Sequence, residues 1–220
     1  NLTALGSASE MFSVTGRDSA ANQLRRLLRE NHVGCRGLLT QASRMTTKKT
    51  RLIAHQQQVA RVDRERCTEL DARIQQRLLR VLTAQLAEAD AIIVGDYGKG
   101  VVTQPLLDEI KALCHARGIW LSVDPKPVHH LNLSGLSLIT PNRKEAFELA
   151  GLPDGVRHQG TPLEDRSLLL VVEKLLTELQ PALLLITLGD QGMLLCQRGR
   201  PPFHIPTVAQ EVFDVSGAGD

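Results

Sequence analysis

Short runs of Ile, Val and Leu recur along this chain, each followed by a polar or glycine-rich corner and then by apolar positions at helical spacing. The runs Ala91 to Val94, Ile119 to Val123, Leu136 to Thr140 and Leu183 to Leu188 are nearly continuous in apolar character, which predicts parallel strands covered by helices on both faces. Pro105 to Arg117 sets Leu106, Leu107, Ile110, Leu113 and Cys114 on one helical face with proline in the first turn, and Leu168 to Leu179 repeats the pattern with a wider face. Cys67 to Glu88 predicts a further helix, because Leu70, Ile74, Leu78, Leu82 and Leu86 stand four apart. A different texture at Thr46 to Ala54 and Val59 to Asp63 predicts strands of a separate, smaller sheet within residues 35–63, able to act as a lid. Gly192 to Pro206, interrupted by Gly199-Arg200-Pro201-Pro202, predicts a hairpin near a sheet edge. The expected fold class is therefore α/β, a mostly parallel sheet flanked by helices, with a small β lid.

Composition narrows the possible functions. At 220 residues the chain can bury a sizeable core without disulfide or metal staples, and one domain is the default. A formal charge of +2 argues against a nucleic-acid or anionic-membrane binder working through bulk electrostatics, so any phosphate binding must be local. The longest apolar runs, Leu168 to Val172 and Ala182 to Ile186, have five residues, far short of the roughly 20 a spanning helix requires. Asn1-Leu2-Thr3-Ala4-Leu5-Gly6-Ser7 reads like the interior of a domain rather than a targeting signal, so the true N-terminus is expected upstream. Cys35, Cys67, Cys114 and Cys196 lie far apart, as expected for reduced thiols in a cytoplasmic protein, and His129-His130 lacks partners at a zinc-ligand spacing.

In open parallel sheets the ligand crevice lies beyond the carboxyl ends of the strands. Here those ends carry Gly95-Asp96-Tyr97-Gly98-Lys99-Gly100, Asp124-Pro125-Lys126, Thr140-Pro141-Asn142-Arg143-Lys144-Glu145 and Thr187-Leu188-Gly189-Asp190-Gln191-Gly192. Asp214-Val215-Ser216-Gly217-Ala218-Gly219-Asp220 adds a small-residue turn whose N–H groups can cradle an anion. Its closing carboxylate suits proton removal from a hydroxyl, and the combination suggests phosphoryl transfer to an alcohol. Taken singly, each motif also fits an ordinary turn, a helix cap or a surface charge.

In this order, Asn142-x-x-Glu145, Thr187-Leu188-Gly189-x-x-Gly192 and Asp214-x-x-Gly217-Ala218-Gly219-Asp220 resemble the ribokinase-like PfkB family of ATP-dependent sugar kinases. Lys49-Thr50-Arg51, Gln57-Gln58 with Arg61-x-Asp63, Asp96-Tyr97-x-Lys99-Gly100, Asp124-Pro125-Lys126 and Ala209 to Asp214 are similar to its D-glycero-β-D-manno-heptose 7-phosphate kinase branch, and the likeness spans the chain. It implies a partial kinase domain over 1–220, with the family's first strand and its closing helices lying outside the chain.

The resemblance further implies that Asp220 is the catalytic base and that Gly217, Ala218 and Gly219 form an anion hole. Asn142, Arg143, Lys144 and Glu145 become the ATP segment, Glu145 organising Mg²⁺ through water, while Thr187, Gly189 and Gly192 contact the nucleotide. Lys49, Arg51, Arg61, Lys99 and Lys126 are the candidate clamp for the sugar's phosphate, and Asp96 a receiver of sugar hydroxyls. The expected substrates are ATP and a phosphosugar, with no nucleic acid or membrane as partner, and the expected assembly is a homodimer through the lid. Another sugar specificity within the family (ribose, fructose or a different phosphosugar) and a non-catalytic fragment are the alternatives. A dinucleotide-dependent oxidoreductase is disfavoured, because no Gly-x-Gly-x-x-Gly follows the first apolar run.

Overall fold

A computed structural model describes residues 1–54, 57–127, 130–155 and 160–208. The chain forms two compact units, one from 1–88 and 98–110, the other from 89–97 and 111–220.

In the first unit, β1 (Ser9–Glu10) pairs in parallel with β3 (Val33–Gly34), and β2 (Ser13–Thr15) with β4 (Leu38–Thr40). The crossover helix between them, α1 (Ser19–Glu30), starts at Asp18, whose carboxylate accepts the Ala21 N–H at 2.9 Å. This cap satisfies one of the donors that every helix start leaves without an internal partner. β5 (Lys48–Ala54) and β6 (Gln57–Arg64) form a separate antiparallel pair, in register from Lys48 opposite Arg64 through Leu52 opposite Ala60 and irregular beyond Leu52. The small second sheet of the sequence reading is thus present, with β5 starting two residues later than expected and β6 extended at both ends.

α2 (Ala72–Gln85) is shorter than the helix expected over 67–88. The preceding residues have their polar backbone groups committed elsewhere. The carbonyls of Arg66 and Thr68 accept from Arg44, and the Leu70 N–H donates to Gly100 O at 3.1 Å. Leu70, Leu78, Leu82 and Leu86 are nevertheless buried as the spacing predicts, and Leu86–Glu88 finish the segment as a 3₁₀ turn. α3 (Gln104–Arg117) follows the expected bounds closely, with Pro105 in its first turn.

The second unit is built on a six-stranded mixed sheet, ordered β12–β11–β10–β9–β8–β7. β7 (Ala91–Gly95), β8 (Trp120–Asp124), β9 (Leu138–Ile139) and β10 (Leu183–Thr187) run parallel, whereas β11 (Met193–Cys196) and β12 (Phe203–Ile205) continue it in antiparallel. Leu121, Val123, Ile139, Leu184 and Ile186 are buried, while Leu183 and Leu185 on the other face of β10 are half-buried. β7 departs further from the expected burial on both faces: it is the outermost strand, and Ile93 is 61% exposed while Val94 is buried. β9 is two residues long rather than five, although its flanks still bond to β8 through Ser137 N–H to Leu121 O and Thr140 N–H to Val123 O. The hairpin expected over 192–206 is β11–β12, at the edge of the sheet. α4 (Arg143–Ala150) and α5 (Arg166–Glu178) complete the described helices of this unit.

Candidate active site

Each unit carries its own set of the residues chosen from the sequence. In the second unit the β9–α4 junction holds Asn142, which caps α4 through its side chain: Oδ1 accepts the Glu145 N–H at 3.0 Å, and Glu145 Oε2 accepts the Asn142 N–H at 3.1 Å. Asn142 also bridges Thr187 at the end of β10, and the Thr187 N–H donates to Pro141 O at 3.0 Å. Lys126, beyond β8, reaches Glu145 Oε1 at 3.0 Å. Four sequence-chosen residues from three strand ends thus meet: Lys126, Asn142, Glu145 and Thr187.

Both carboxylate oxygens of Glu145 are engaged, one by an ammonium and one by a backbone N–H. That suits contact with Mg²⁺ through a water molecule, since this ion retains several of its waters, and is poorly suited to direct ligation. Among the described residues no group of three His, Cys, Asp or Glu converges as a metal cage.

The glycines after β10 are set by backbone geometry. Gly189 and Gly192 have φ of 66° and 83°, and a Cβ on Gly192 would lie 2.1 Å from Ile205 O. The Leu188 N–H donates to Gly192 O at 2.8 Å, closing a tight loop that leads into β11. Asp96, at the end of β7, is buried and its N–H donates to Asp124 O at 2.9 Å.

Two residues of the ATP segment face different ways. Lys144 is exposed and lies 3.7 Å from Glu148 one turn on. Arg143, expected in the ATP segment with a surface charge as the alternative, is buried and turned inward. Its guanidinium meets Asp165 at 2.8 Å and Asp154 at 2.9 Å, and lies over the Phe147 ring. Burial opposes its charge, but the two carboxylates outweigh it and hold its pKa above the ordinary arginine range. Burial likewise pushes Asp165 up, yet the Leu168 N–H it caps and the Arg143 guanidinium bring its pKa below the usual carboxylate value. Asp154 and Asp165 were not singled out from the sequence, although Asp165 three residues before Leu168 has the form of a helix cap.

In the first unit, Lys49 stands opposite Asp63 and Arg51 opposite Arg61 on the β5–β6 pair. Alternate residues of a strand share a face, so Lys49, Arg51, Arg61 and Asp63 lie together. Arg61 reaches Asp63 at 3.1 Å, whereas Arg51 is exposed and forms no ion pair among the described residues. Lys99 is held by Glu65 at 2.5 Å and lies 3.7 Å from Cys67 Sγ; the hydrogen bond it donates to the Glu65 carboxylate raises its pKa. Glu65 and Arg44 are the residues here that sequence reasoning missed, because neither stands in a recognisable motif. Asp220, Gly217, Ala218 and Gly219 lie outside the described residues.

The fold, a mixed sheet flanked by helices, is ribokinase-like. The ribokinase of Arabidopsis thaliana complexed with ribose and ATP matches it with a TM-score of 0.73 at 15% identity, over 99% of this chain and 67% of that one. Phosphofructokinase-2 from Escherichia coli in its tetrameric inhibited form matches with a TM-score of 0.71 at 13% identity, over 94% and 65%. The chain belongs to the pfkB family of carbohydrate kinases, whose family model matches residues 1–220. It is similar to the bifunctional protein HldE of Desulfatibacillum aliphaticivorans, with 39% identity across 220 residues, and to that of Geobacter sulfurreducens, with 38%. All of this chain is covered in both comparisons, and it spans 43% of each relative's length.

Proposed function

We propose that the protein carrying this chain transfers the γ-phosphoryl group of ATP to the C1 hydroxyl of D-glycero-β-D-manno-heptose 7-phosphate, giving the 1,7-bisphosphate used for lipopolysaccharide core precursors. Membership of a carbohydrate kinase family supports the reaction class. The observation that carries the phosphosugar reading is the register of the β5–β6 pair, which sets Arg51 directly opposite Arg61 with Lys49 on the same face. Like charges directly opposite one another destabilise a strand pair, and a phosphate between them converts that repulsion into attraction. Asp63 offsets one of the three cations on this face, and the charge that remains suits a phosphate group better than a neutral sugar.

In this reading Asp220 takes the proton from the C1 hydroxyl as that oxygen attacks in line, a contribution of about 10²–10⁴-fold in rate. The backbone N–H groups of Gly217, Ala218 and Gly219 meet the charge that develops on the transferring group. Asn142 and Glu145 flank the nucleotide phosphates, while Thr187, Gly189 and Gly192 line the nucleotide loop; Lys126, expected in the sugar-phosphate clamp, is paired with Glu145 and serves the nucleotide side instead. Arg143 serves the segment from within, as an anchor for α4. Mg²⁺, when bound, neutralises phosphate oxygens, and Glu145 orients the waters around it. Asp96 receives a sugar hydroxyl. The β5–β6 pair doubles as a lid and as the surface on which two copies meet.

Turnover of heptose 7-phosphate by the native protein, beside ribose and fructose 6-phosphate, tests the reading. Preference for the heptose phosphate is expected, with Asp220→Asn losing turnover by about 10²–10⁴-fold while ATP still binds. Equal use of unphosphorylated ribose would overturn the substrate, and an active Asp220→Asn variant would remove that residue as base.

A further inference from the structure

Two stretches of the first unit, 66–68 and 98–100, converge on one buried arginine. Arg44, 7% exposed and four residues ahead of β5, donates to the carbonyls of Thr68 at 2.9 Å and Arg66 at 3.4 Å, both just after β6. It also donates to the carbonyl of Lys99. The contact is reciprocated, because the Arg66 guanidinium donates back to Ser43 O at 2.6 Å. The same junction is closed by backbone packing: Gly100 has φ of 73°, a Cβ there would lie 2.3 Å from Thr68 O, and Leu70 N–H donates to Gly100 O. On the other side, the Thr46 N–H donates to Asp18 Oδ2 at 2.8 Å and the Gly16 N–H to Thr46 Oγ1 at 3.0 Å.

The partners of Arg44 are neutral carbonyls from separate stretches, so its planar fork serves to hold chain segments at a fixed spacing rather than to balance a charge. We propose that Arg44 is a positioning residue for the phosphosugar clamp, fixing the base of the β5–β6 pair against the 98–100 loop so that Lys49, Arg51 and Arg61 keep a set relation to Lys99. The inference rests on the phosphosugar reading and names what holds its cations in place. Burial lowers the pKa of Arg44, in keeping with a guanidinium retained for its geometry despite the cost of desolvation.

Leverage makes this base consequential. Arg51 stands three residues into β5, about 10 Å from its start at the usual strand rise. A tilt of roughly 6° at the base then moves the guanidinium by ~1 Å, and misplacement of that size can cost about 100-fold in rate.

Arg44→Lys keeps the charge and loses the fork. Steady-state kinetics of the variant in the native protein should show its KM for the phosphosugar raised about tenfold or more, with the KM for ATP nearly unchanged. In Arg44→Ala, added guanidinium ion should lower the raised phosphosugar KM again. An unchanged phosphosugar KM in Arg44→Lys overturns the inference. So does a parallel rise in both KM values with no guanidinium rescue, or failure of both variants to fold even with guanidinium present, since these describe a merely structural arginine. Should the unsubstituted protein show no preference for phosphorylated sugars, the substrate reading has failed separately. Hydrogen exchange then decides the placement of the base: faster exchange at 48–54 and 98–100 in Arg44→Lys, with α1 unaffected, keeps it, and unaltered exchange overturns it.

Discussion

Arg143 and Asp18 show how single side chains hold the candidate site from beneath. Arg143 sits between Asn142 and Lys144 in sequence, yet its guanidinium is buried against Asp165 and Asp154, while Asp165 also caps α5. Removing it strands a buried carboxylate, so Arg143→Ala should lower unfolding free energy by about 3–5 kcal/mol in urea titration. A loss below about 1 kcal/mol would place the pair in the class of weak surface ion pairs. Asp18 accepts N–H groups from Thr46 and Ala21, and these hold its pKa below the ordinary 3.8. A carboxylate with a depressed folded pKa contributes stability that is complete above the unfolded value and fades as pH falls through the folded one. The stability difference between the unsubstituted protein and Asp18→Asn should therefore be full at neutral pH and shrink below pH 3.8. Chemical denaturation at several pH values measures this, and a constant difference would contradict it. Both carboxylates have a readable cap position in the sequence, but the identity of what they hold was not readable.

Among the elements, the β5–β6 pair departs furthest from what stability alone favours. Its strands place Arg51 against Arg61, and every residue of β5 is exposed. Relieving the repulsion with Arg51→Thr should stabilise the strand pair by about 0.2–1 kcal/mol, seen as slower amide exchange across 48–64, while weakening phosphosugar binding. Slower exchange with undiminished binding would detach this face from the substrate. α2 illustrates the opposite tension. Its apolar spacing extends back to Leu70, but the 66–70 backbone is committed to Arg44 and Gly100, and the helix begins at Ala72. Periodicity located the buried face correctly, and competition for backbone partners set the boundary. The Gly189–Gly192 loop reconciles both readings of its motif, since Gly192 is required by the close approach of Ile205 whether or not a nucleotide is bound.

At the scale of the molecule, Leu52 and Val62 are exposed together on the face of the β5–β6 pair opposite the cations, an apolar surface that suits burial against a second copy. The proposed homodimer predicts that Leu52→Lys with Val62→Lys sediments as a monomer under conditions where the unsubstituted protein does not; an unchanged sedimentation coefficient would move the interface elsewhere. The sequence by itself determined the α/β class, the positions of α2, α3 and α5, the smaller sheet, the edge hairpin and the family, because apolar periodicity, glycine turns and caps are written within a few neighbouring residues; α1 and the short strands β1 to β4 were not read from it. It also placed polar chemistry at the strand ends, which parallel topology then turns toward one side of the sheet. Only the tertiary structure decided that Arg143 turns inward, that Lys126 meets Glu145 across 19 residues, and that Arg44 meets the Lys99 carbonyl across 55. Such pairings form when distant segments are packed at fixed spacing, and no local pattern encodes them: which of two neighbouring charged residues is buried depends on what the rest of the chain brings to it.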